Sequence, residues 1–165
     1  MRTSQAARYA RWSAAVAILL AVGVAAVYAR LAPSAVPLEF KRHLDQVYAA
    51  RSSGLQLDGQ NIFVYREALG QPGQLDIEFG VGVAGPFPPV GAVRPVELPT
   101  GEVATTTHLG SYRKLGAAHA AVRDWCRAQS LALAGPSWEI YGHWIGGQPP
   151  RTDIFYLLHP VPRAS

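Results

Sequence analysis

The sequence predicts an α+β fold in which a helix-strand-strand unit occurs twice. Residues 103–161 repeat the pattern of residues 39–83: an amphipathic helix, a glycine, a short aromatic strand, a polar turn and a longer apolar strand. Ile62-Phe63-Val64-Tyr65 in the first copy corresponds to Trp138-Glu139-Ile140-Tyr141 in the second. An aspartate opens the next strand in each copy, Asp76 and Asp153. Two such (β)αββ units, related by a pseudo-twofold axis, would form one antiparallel sheet with both helices on one face and a ligand cleft on the other.

The first copy contains one helix and two strands. Phe40, Leu44, Val47 and Tyr48 form an apolar stripe that predicts a helix over 38–53, with Gly54 as its C-cap. Strands are predicted at 61–67 and 75–83, on either side of a turn at Gln71-Pro72-Gly73.

The second copy begins with two strands, at 93–98 and 103–108, which flank the turn Pro99-Thr100-Gly101. Ser111 is a suitable N-cap for a helix that runs to about residue 130, with an apolar stripe of Leu115, Ala118, Val122 and Trp125. Cys126, the single cysteine, lies next to this stripe and is expected to be a buried thiol. Strands at 137–144 and 152–158 complete the sheet.

The first thirty residues differ in composition from the rest. Residues 12–29 carry no charge, are bounded by Arg11 and Arg30, and have aromatic residues near both ends. An apolar run of about 18 residues is typical of a transmembrane helix, and it exceeds the usual apolar run of a cleaved signal peptide. We therefore expect an uncleaved signal anchor that holds the protein in the bacterial inner membrane with one span, the domain being periplasmic.

Four segments follow from these patterns: a basic N-terminal tail (1–11), a transmembrane helix (12–29), a Pro-containing tether (30–37) and one folded domain (38–165). Four of the 15 basic residues fall within residues 1–30, and the remaining chain balances its charges. The net charge of +4 therefore does not indicate a basic surface on the domain, and no nucleic-acid partner is expected.

Motifs for common cofactors are absent or fail on context. Gly80-x-Gly82-x-x-Gly85 matches a dinucleotide-binding fingerprint, but Pro86, Pro88 and Pro89 follow where that fingerprint must open a helix. Residues 84–91 are instead interpreted as the linker between the two copies. The five histidines show no metal-ligand spacing, so neither a metal nor another cofactor is expected.

Alternation along the aromatic strands predicts which side chains share a face. Glu139 and Tyr141 point the same way on one strand, as do Phe63 and Tyr65 on the other. Because Ile140 and Val64 are purely apolar, we expect their face to pack on the helices and the Glu139 face to be open. A carboxylate among aromatic rings suits a lipophilic cation, although the same pattern is also compatible with a solvated glutamate beside core tyrosines.

The sequence further resembles a known family. Leu98-Pro99-Thr100-Gly101, Val103 to Tyr112, Asp124-Trp125 and Gly135-Pro136-Ser137-Trp138-Glu139-Ile140-Tyr141 are similar to the GyrI-like small-molecule-binding family, the effector-binding domain of multidrug-responsive bacterial regulators. The resemblance covers 98–161 and, less closely, 39–83. It implies a duplicated strand-helix-strand-strand fold whose cleft binds diverse, often cationic and aromatic, compounds. It also implies that Glu139 meets the charge of the ligand, with Tyr141 and Trp138 as aromatic neighbours.

Two departures from the family are visible. The first copy lacks a strand like 103–109 before its helix, unless 31–36 supply a short one, and no DNA-binding helix-turn-helix accompanies the domain. We therefore expect a membrane-anchored module that senses or sequesters hydrophobic, cationic ligands through Glu139, Tyr141, Phe63, Tyr65 and Trp138. The alternative is a hydrolase of electrophilic small molecules, with Glu139 as general base and Tyr141 as hydrogen-bond donor.

Overall fold

The computed structural model describes residues 15–19, 23–57, 59–67 and 69–160, which contain eight strands and two α-helices. The first half comprises β1 (Ala15–Leu19), β2 (Gly23–Leu31), α1 (Val36–Ala49), β3 (Asn61–Glu67) and β4 (Leu75–Val83). The second half comprises β5 (Arg94–Glu97), β6 (Gly101–Leu109), α2 (Leu115–Ala128), β7 (Leu133–Tyr141) and β8 (Arg151–Leu158). The two halves have the same order of elements, which confirms the predicted α+β duplication.

All these strands form one antiparallel sheet in the order β1-β6-β8-β7-β3-β4-β2-β5. The order is symmetric about the boundary between β7 and β3, where the pseudo-twofold axis passes. The short first strand of each half pairs with the long second strand of the other half, β1 with β6 and β5 with β2. Among the described residues, the short first strand of each half therefore has its pairing partner only in the other half.

The local signals in the sequence give the helix ends correctly to within a few residues. α1 is followed by a 3-10 turn over Ala50–Ser53, and this turn ends at Gly54, whose φ of 88° is a left-handed conformation that favours glycine. Before α2, the Ser111 hydroxyl accepts a hydrogen bond from the Arg113 amide at 3.3 Å. Both strands predicted in the first copy have the expected bounds.

The predicted transmembrane helix is wrong. Residues 15–19 form β1 and residues 23–29 belong to β2, which pairs with β4 on one side and β5 on the other. In the described part of the chain, no helix is long and apolar enough to cross a membrane. The error has a physical cause. Both faces of β2 are covered, so residues 24–27 are each at most 4% exposed. A strand that is buried on both faces is as uniformly apolar in sequence as a membrane span. The predicted inner-membrane location rested on that span and stays a prediction.

The segment predicted as a tether, 30–37, contains the end of β2 and the first residues of α1. β2 is the strand that was not predicted for the first copy, and of residues 31–36 only Leu31 belongs to it. The folded domain accordingly includes residues before the predicted start at 38, and the predicted basic tail at 1–11 lies outside the described residues.

The sheet curls until its two ends approach each other. β5 and β6 are six positions apart in the sheet, so roughly 29 Å would separate them if the sheet were flat. Only three residues connect the two strands, and an extended chain of that length reaches roughly 15 Å. Leu19 and Gly23 are separated by the same short length of chain. The concave face encloses an apolar cluster of Val24, Ala26, Ile62, Val64, Leu98, Val103 and Trp138. Curvature therefore buries this face without a helix.

Both helices lie on the convex face, as predicted for a single helical layer. α1 packs Leu44 and Val47 against a cluster that includes Phe63 and Phe79, while α2 packs Ala118, Val122 and Cys126 against β6 and β8. Burial raises the pKa of the Cys126 thiol, which is consistent with the expected structural role.

Gly80 and Gly82 lie in β4 and permit close approach of backbones. A Cβ atom at Gly80 would lie 2.8 Å from the Ala25 carbonyl oxygen, and one at Gly59 would lie 2.5 Å from the Gly82 Cα. The described residues 84–91 contain no helix and lie between β4 and β5, so the interpretation of this segment as the linker between the two copies agrees with the structure.

We predict that Gly80→Ala destabilises the protein by about 1–3 kcal/mol, because the added methyl group overlaps the β2 backbone. Gly116→Ala is the matched control: this exposed position in α2 has open space, and alanine favours the helix by up to about 1 kcal/mol. Chemical denaturation measures both; equal stability of the two variants would contradict the packing of β2 on β4.

His43 on α1 is a second test of the core. It is 7% exposed, stacks on Phe79 at 5.0 Å between ring centroids, and neither ring nitrogen has a hydrogen-bond partner among the described residues. Burial, helped by the charge of Arg42, lowers the pKa of His43 below 6.5. The fold thus disfavours the protonated ring, and the free energy of unfolding falls as the pH drops from the unfolded value through the lower folded value.

We predict that His43→Val, which places valine where α2 has Val122, removes this loss of stability below about pH 6.5. Thermal unfolding between pH 4.5 and 8 measures it, with the exposed His143→Val as control. A steeper acid loss in the His43 variant than in the parent protein would show that the ring is charged and satisfied in the fold.

Candidate functional site

Glu139 occupies the centre of the convex face, between the two helices. It lies on β7 directly opposite Phe63 of β3 and Ile154 of β8, and it is 4% exposed. Burying an ionised carboxylate is unfavourable unless hydrogen bonds or a counter-charge compensate it. The surroundings of Glu139 supply such groups.

Two tyrosines donate to one oxygen of this carboxylate. Tyr65 and Tyr141 each place a hydroxyl 2.6 Å from Oε2 of Glu139. Tyr65 comes from β3 and Tyr141 from β7, so the pair joins the two halves of the sheet at the pseudo-twofold axis. Hydrogen bonds to a charged acceptor are among the stronger ones in proteins.

A second chain of hydrogen bonds reaches the other oxygen from α2. Nε2 of His119 lies 2.7 Å from Oε1 of Glu139, and Nδ1 of the same ring lies 2.7 Å from the Tyr156 hydroxyl. Arg123 in turn donates to that hydroxyl at 3.0 Å. Since an ionised carboxylate only accepts, Nε2 is assigned the proton, and in the neutral ring Nδ1 accepts from Tyr156.

The donors decide the ionisation state of Glu139. Burial raises the pKa of its carboxyl, but the hydrogen bonds from His119, Tyr141 and Tyr65 and the charge of His119 outweigh burial and hold that pKa below its ordinary value near 4.5. Burial and the neighbouring carboxylate raise the pKa of Tyr65 and Tyr141 well above 10. At neutral pH the site is therefore a buried carboxylate surrounded by neutral phenols.

A row of aromatic rings leads from the carboxylate to the surface. Phe63 lies 4.9 Å from Tyr141 between ring centroids, Phe40 of α1 lies 6.1 Å from Phe63, and Tyr112 stands edge-on to Tyr141 at 5.6 Å. Phe63 is buried, whereas Tyr112 is 52% exposed. The row therefore connects the interior of the site with solvent beside the first turn of α2.

The same positions in the first half are apolar. A shift of 79 positions (115 minus 36) superimposes the start of α1 on that of α2, and it relates Phe40 to His119 and Leu44 to Arg123. The pseudo-twofold axis relates Phe63 to Glu139 and, two residues earlier on each strand, Asn61 to Ser137. Val81 pairs with Asn61 and Tyr156 pairs with Ser137, so Val81 corresponds to Tyr156. The duplicated framework thus holds an apolar cluster in one half and a charged network in the other.

The predicted site residues are brought together except for one. Glu139, Tyr141, Phe63 and Tyr65 share a face, as the alternation predicted, but that face carries the helices, so the prediction of an open face is wrong. The physical reason is curvature, which covers the Val64 and Ile140 face without helices. Trp138 lies on that concave face, fully buried and stacked on Phe155 at 5.6 Å, away from the carboxylate.

His119, Arg123 and Tyr156 were not anticipated. His119 and Arg123 are one helical turn apart and flank the apolar stripe of α2, which is a detectable signal for polar groups at the edge of the face that packs on the sheet. Tyr156 follows the alternation of β8 from Ile154, but nothing in the sequence indicates that it contacts His119. Within the described residues, no cluster of side chains is suited to hold a metal ion.

The sequence of residues 24–144 matches the model of a known family, described as the GyrI-like small molecule binding domain. The chain belongs to this family. A search of curated proteins found no relative of this GyrI-like chain. The start of the match at residue 24 agrees with β2 as the first long strand of the domain.

Solved structures support the fold at low sequence identity. The C-terminal domain of EcmrR has a TM-score of 0.74 at 18% identity, covering 91% of this chain and 99% of that domain. In a complex of EcmrR with DNA, this chain covers only 58% of the EcmrR chain, with a TM-score of 0.73. SAV2435, solved with bound tetraphenylphosphonium, has a TM-score of 0.64 at 10% identity over 89% of this chain and 94% of its own. A hydrolase from Listeria innocua has a TM-score of 0.59 at 11% identity, covering 88% and 91%.

We predict that Tyr141→Phe raises the pKa of Glu139, because it removes a hydroxyl that stabilises only the charged form. NMR titration of the labelled glutamate carboxyl carbon measures the shift. Tyr48→Phe removes a hydroxyl that bonds Asn61 instead and is the matched control. An unchanged titration in the Tyr141 variant would mean that this hydrogen bond does not hold the carboxylate ionised.

Proposed function

We infer that this GyrI-like domain binds hydrophobic cations, with the Glu139 carboxylate as the anionic anchor and Tyr141, Phe63 and Tyr65 as its aromatic surround. The observation that carries this proposal is a carboxylate that is only 4% exposed and accepts hydrogen bonds from Tyr65, Tyr141 and His119, which favour its ionised form. A charge kept in a poorly hydrated site attracts a cation more strongly than a solvated charge does.

The aromatic rings supply the remaining recognition. The face of a phenol or phenyl ring attracts positive charge, and the same ring buries the apolar part of a lipophilic ligand. Phe40, Phe63, Tyr141 and Tyr112 form such a surface between α1 and the start of α2. Entry of a ligand would separate these rings, while the hydroxyls of Tyr65 and Tyr141 would keep the carboxylate in place.

The binding of tetraphenylphosphonium by SAV2435 adds independent support, since this permanent lipophilic cation is bound by a protein of the same fold. The other acidic residues near the sheet centre are less suitable anchors. Glu78 and Asp76 lie on the concave side of β4 and are paired with Arg66 and Arg30 at 2.6 and 2.7 Å.

The alternative of a hydrolase that uses Glu139 as general base is supported less well. A lowered pKa makes the carboxylate a weak base, and the hydroxyls and imidazole around it already donate to both oxygens. The site is more suitable for sensing or sequestering a ligand than for activating water.

We predict that the full chain binds tetraphenylphosphonium and that Glu139→Gln weakens binding roughly tenfold to a hundredfold, the loss expected for one partly desolvated charge contact. Isothermal titration calorimetry at pH 8 measures the affinity. Glu78→Gln removes the same charge from the opposite face and should bind as the parent protein does. Equal affinity in the Glu139 and Glu78 variants would rule out Glu139 as the anchor.

A further inference from the structure

The Glu139 carboxylate already has a potential counter-ion within the protein. Nε2 of His119 is 2.7 Å from Oε1, and the two side chains are 15% and 5% exposed. His119 can gain a proton, whereas the tyrosines on Oε2 remain neutral. The charge of the site at a given pH therefore depends on one imidazole ring.

The groups that face His119 define that dependence. From β7 it meets Glu139, from β8 the Tyr156 hydroxyl, and on α2 itself Arg123 lies one turn away and donates to Tyr156. The strand β6, which also packs on α2, presents Ala104, Thr106 and His108 on this face, with His108 bonded to the Ser111 carbonyl. Tyr65 and Tyr141 reach the carboxylate from the other side.

Resting on the function proposed above, we propose that His119 determines the charge selectivity of the site, because a cationic ligand and a proton on His119 compete for the same carboxylate. With a neutral ring, the His119 and Glu139 pair has a charge of −1 and attracts a cation. With a protonated ring, the pair is a closed ion pair with no net charge, and only the aromatic surface remains to bind a ligand.

Two consequences distinguish this arrangement from a plain carboxylate. Cation affinity decreases on acidification at a pH where Glu139 is still ionised, and a cation that binds a molecule with a protonated His119 releases that proton to solvent. By linkage the affinity changes by at most about tenfold per pH unit. A neutral aromatic ligand of similar shape competes with no proton, so its affinity is independent of His119.

The first-half counterpart of His119 indicates that an imidazole is not required for packing. Phe40 occupies the equivalent position on α1 and contacts Phe63. A histidine at this position in the second half therefore serves the carboxylate opposite it. His119→Gln keeps a donor for Oε1 but cannot take up a proton, which makes it the informative variant.

The test measures dissociation constants of tetraphenylphosphonium and of neutral triphenylphosphine oxide between pH 5.5 and 8 by calorimetry. For the parent protein, we expect the affinity for the cation to fall about tenfold toward pH 5.5 and that for the neutral compound to stay constant. In His119→Gln the affinity for the cation should be constant. At pH 6, buffers of different ionisation enthalpy should reveal proton release in the parent protein and none in the variant.

The outcomes separate the two proposals. Binding that requires Glu139 but has the same pH dependence in parent and His119→Gln overturns the role of His119 and leaves the anchor intact. Absence of cation binding, or binding insensitive to Glu139→Gln at pH 8, overturns the proposed function and the coupling with it.

Discussion

The buried charge of Glu139 is the constraint on which the rest of the site depends. An ionised carboxylate at the centre of a sheet is tolerable only when donors reach both oxygens, and here they come from β3, β7 and α2. The position of α2 relative to β8 is in turn fixed through His119, Tyr156 and Arg123. The hydrogen bonds that hold α2 on the sheet are therefore also those of the proposed ligand site, and a ligand bound there would act directly on the contact between the helix and the sheet.

Duplication explains how such a site arises without weakening the fold. Each half places one residue of its central strand against the axis, Phe63 in the first and Glu139 in the second. The first half surrounds its residue with apolar neighbours, so it supplies a hydrophobic wall and most of the adjoining core. The second half holds the polar network. One framework thus provides both an apolar surface and a buried charge, the two features on which the proposed binding of a lipophilic cation depends.

Curvature of the sheet accounts for the two main differences between expectation and structure. Because the short connections bring the ends of the sheet together, the concave face is buried without helices, and Trp138 belongs to it. The purely apolar alternation of Val64 and Ile140 is therefore the pattern of a curled interior, not of a helix contact. The same burial makes β2 apolar on both sides, and a central strand of this kind cannot be distinguished from a membrane span by hydropathy alone.

The sequence by itself determined the repeated elements, the bounds of β3 and β4, the residues that cap the 3-10 turns beside the helices, and the grouping of Glu139, Tyr141, Phe63 and Tyr65 on one face. These follow from local periodicity and backbone preferences, which act over a few residues. Only the tertiary structure decided that β2 is a strand, which face carries the helices, and that His119 and Tyr156 join the carboxylate. Those features depend on contacts between segments far apart in the chain, such as the 20 positions between His119 and Glu139, and on a curvature set by how the two halves exchange their first strands.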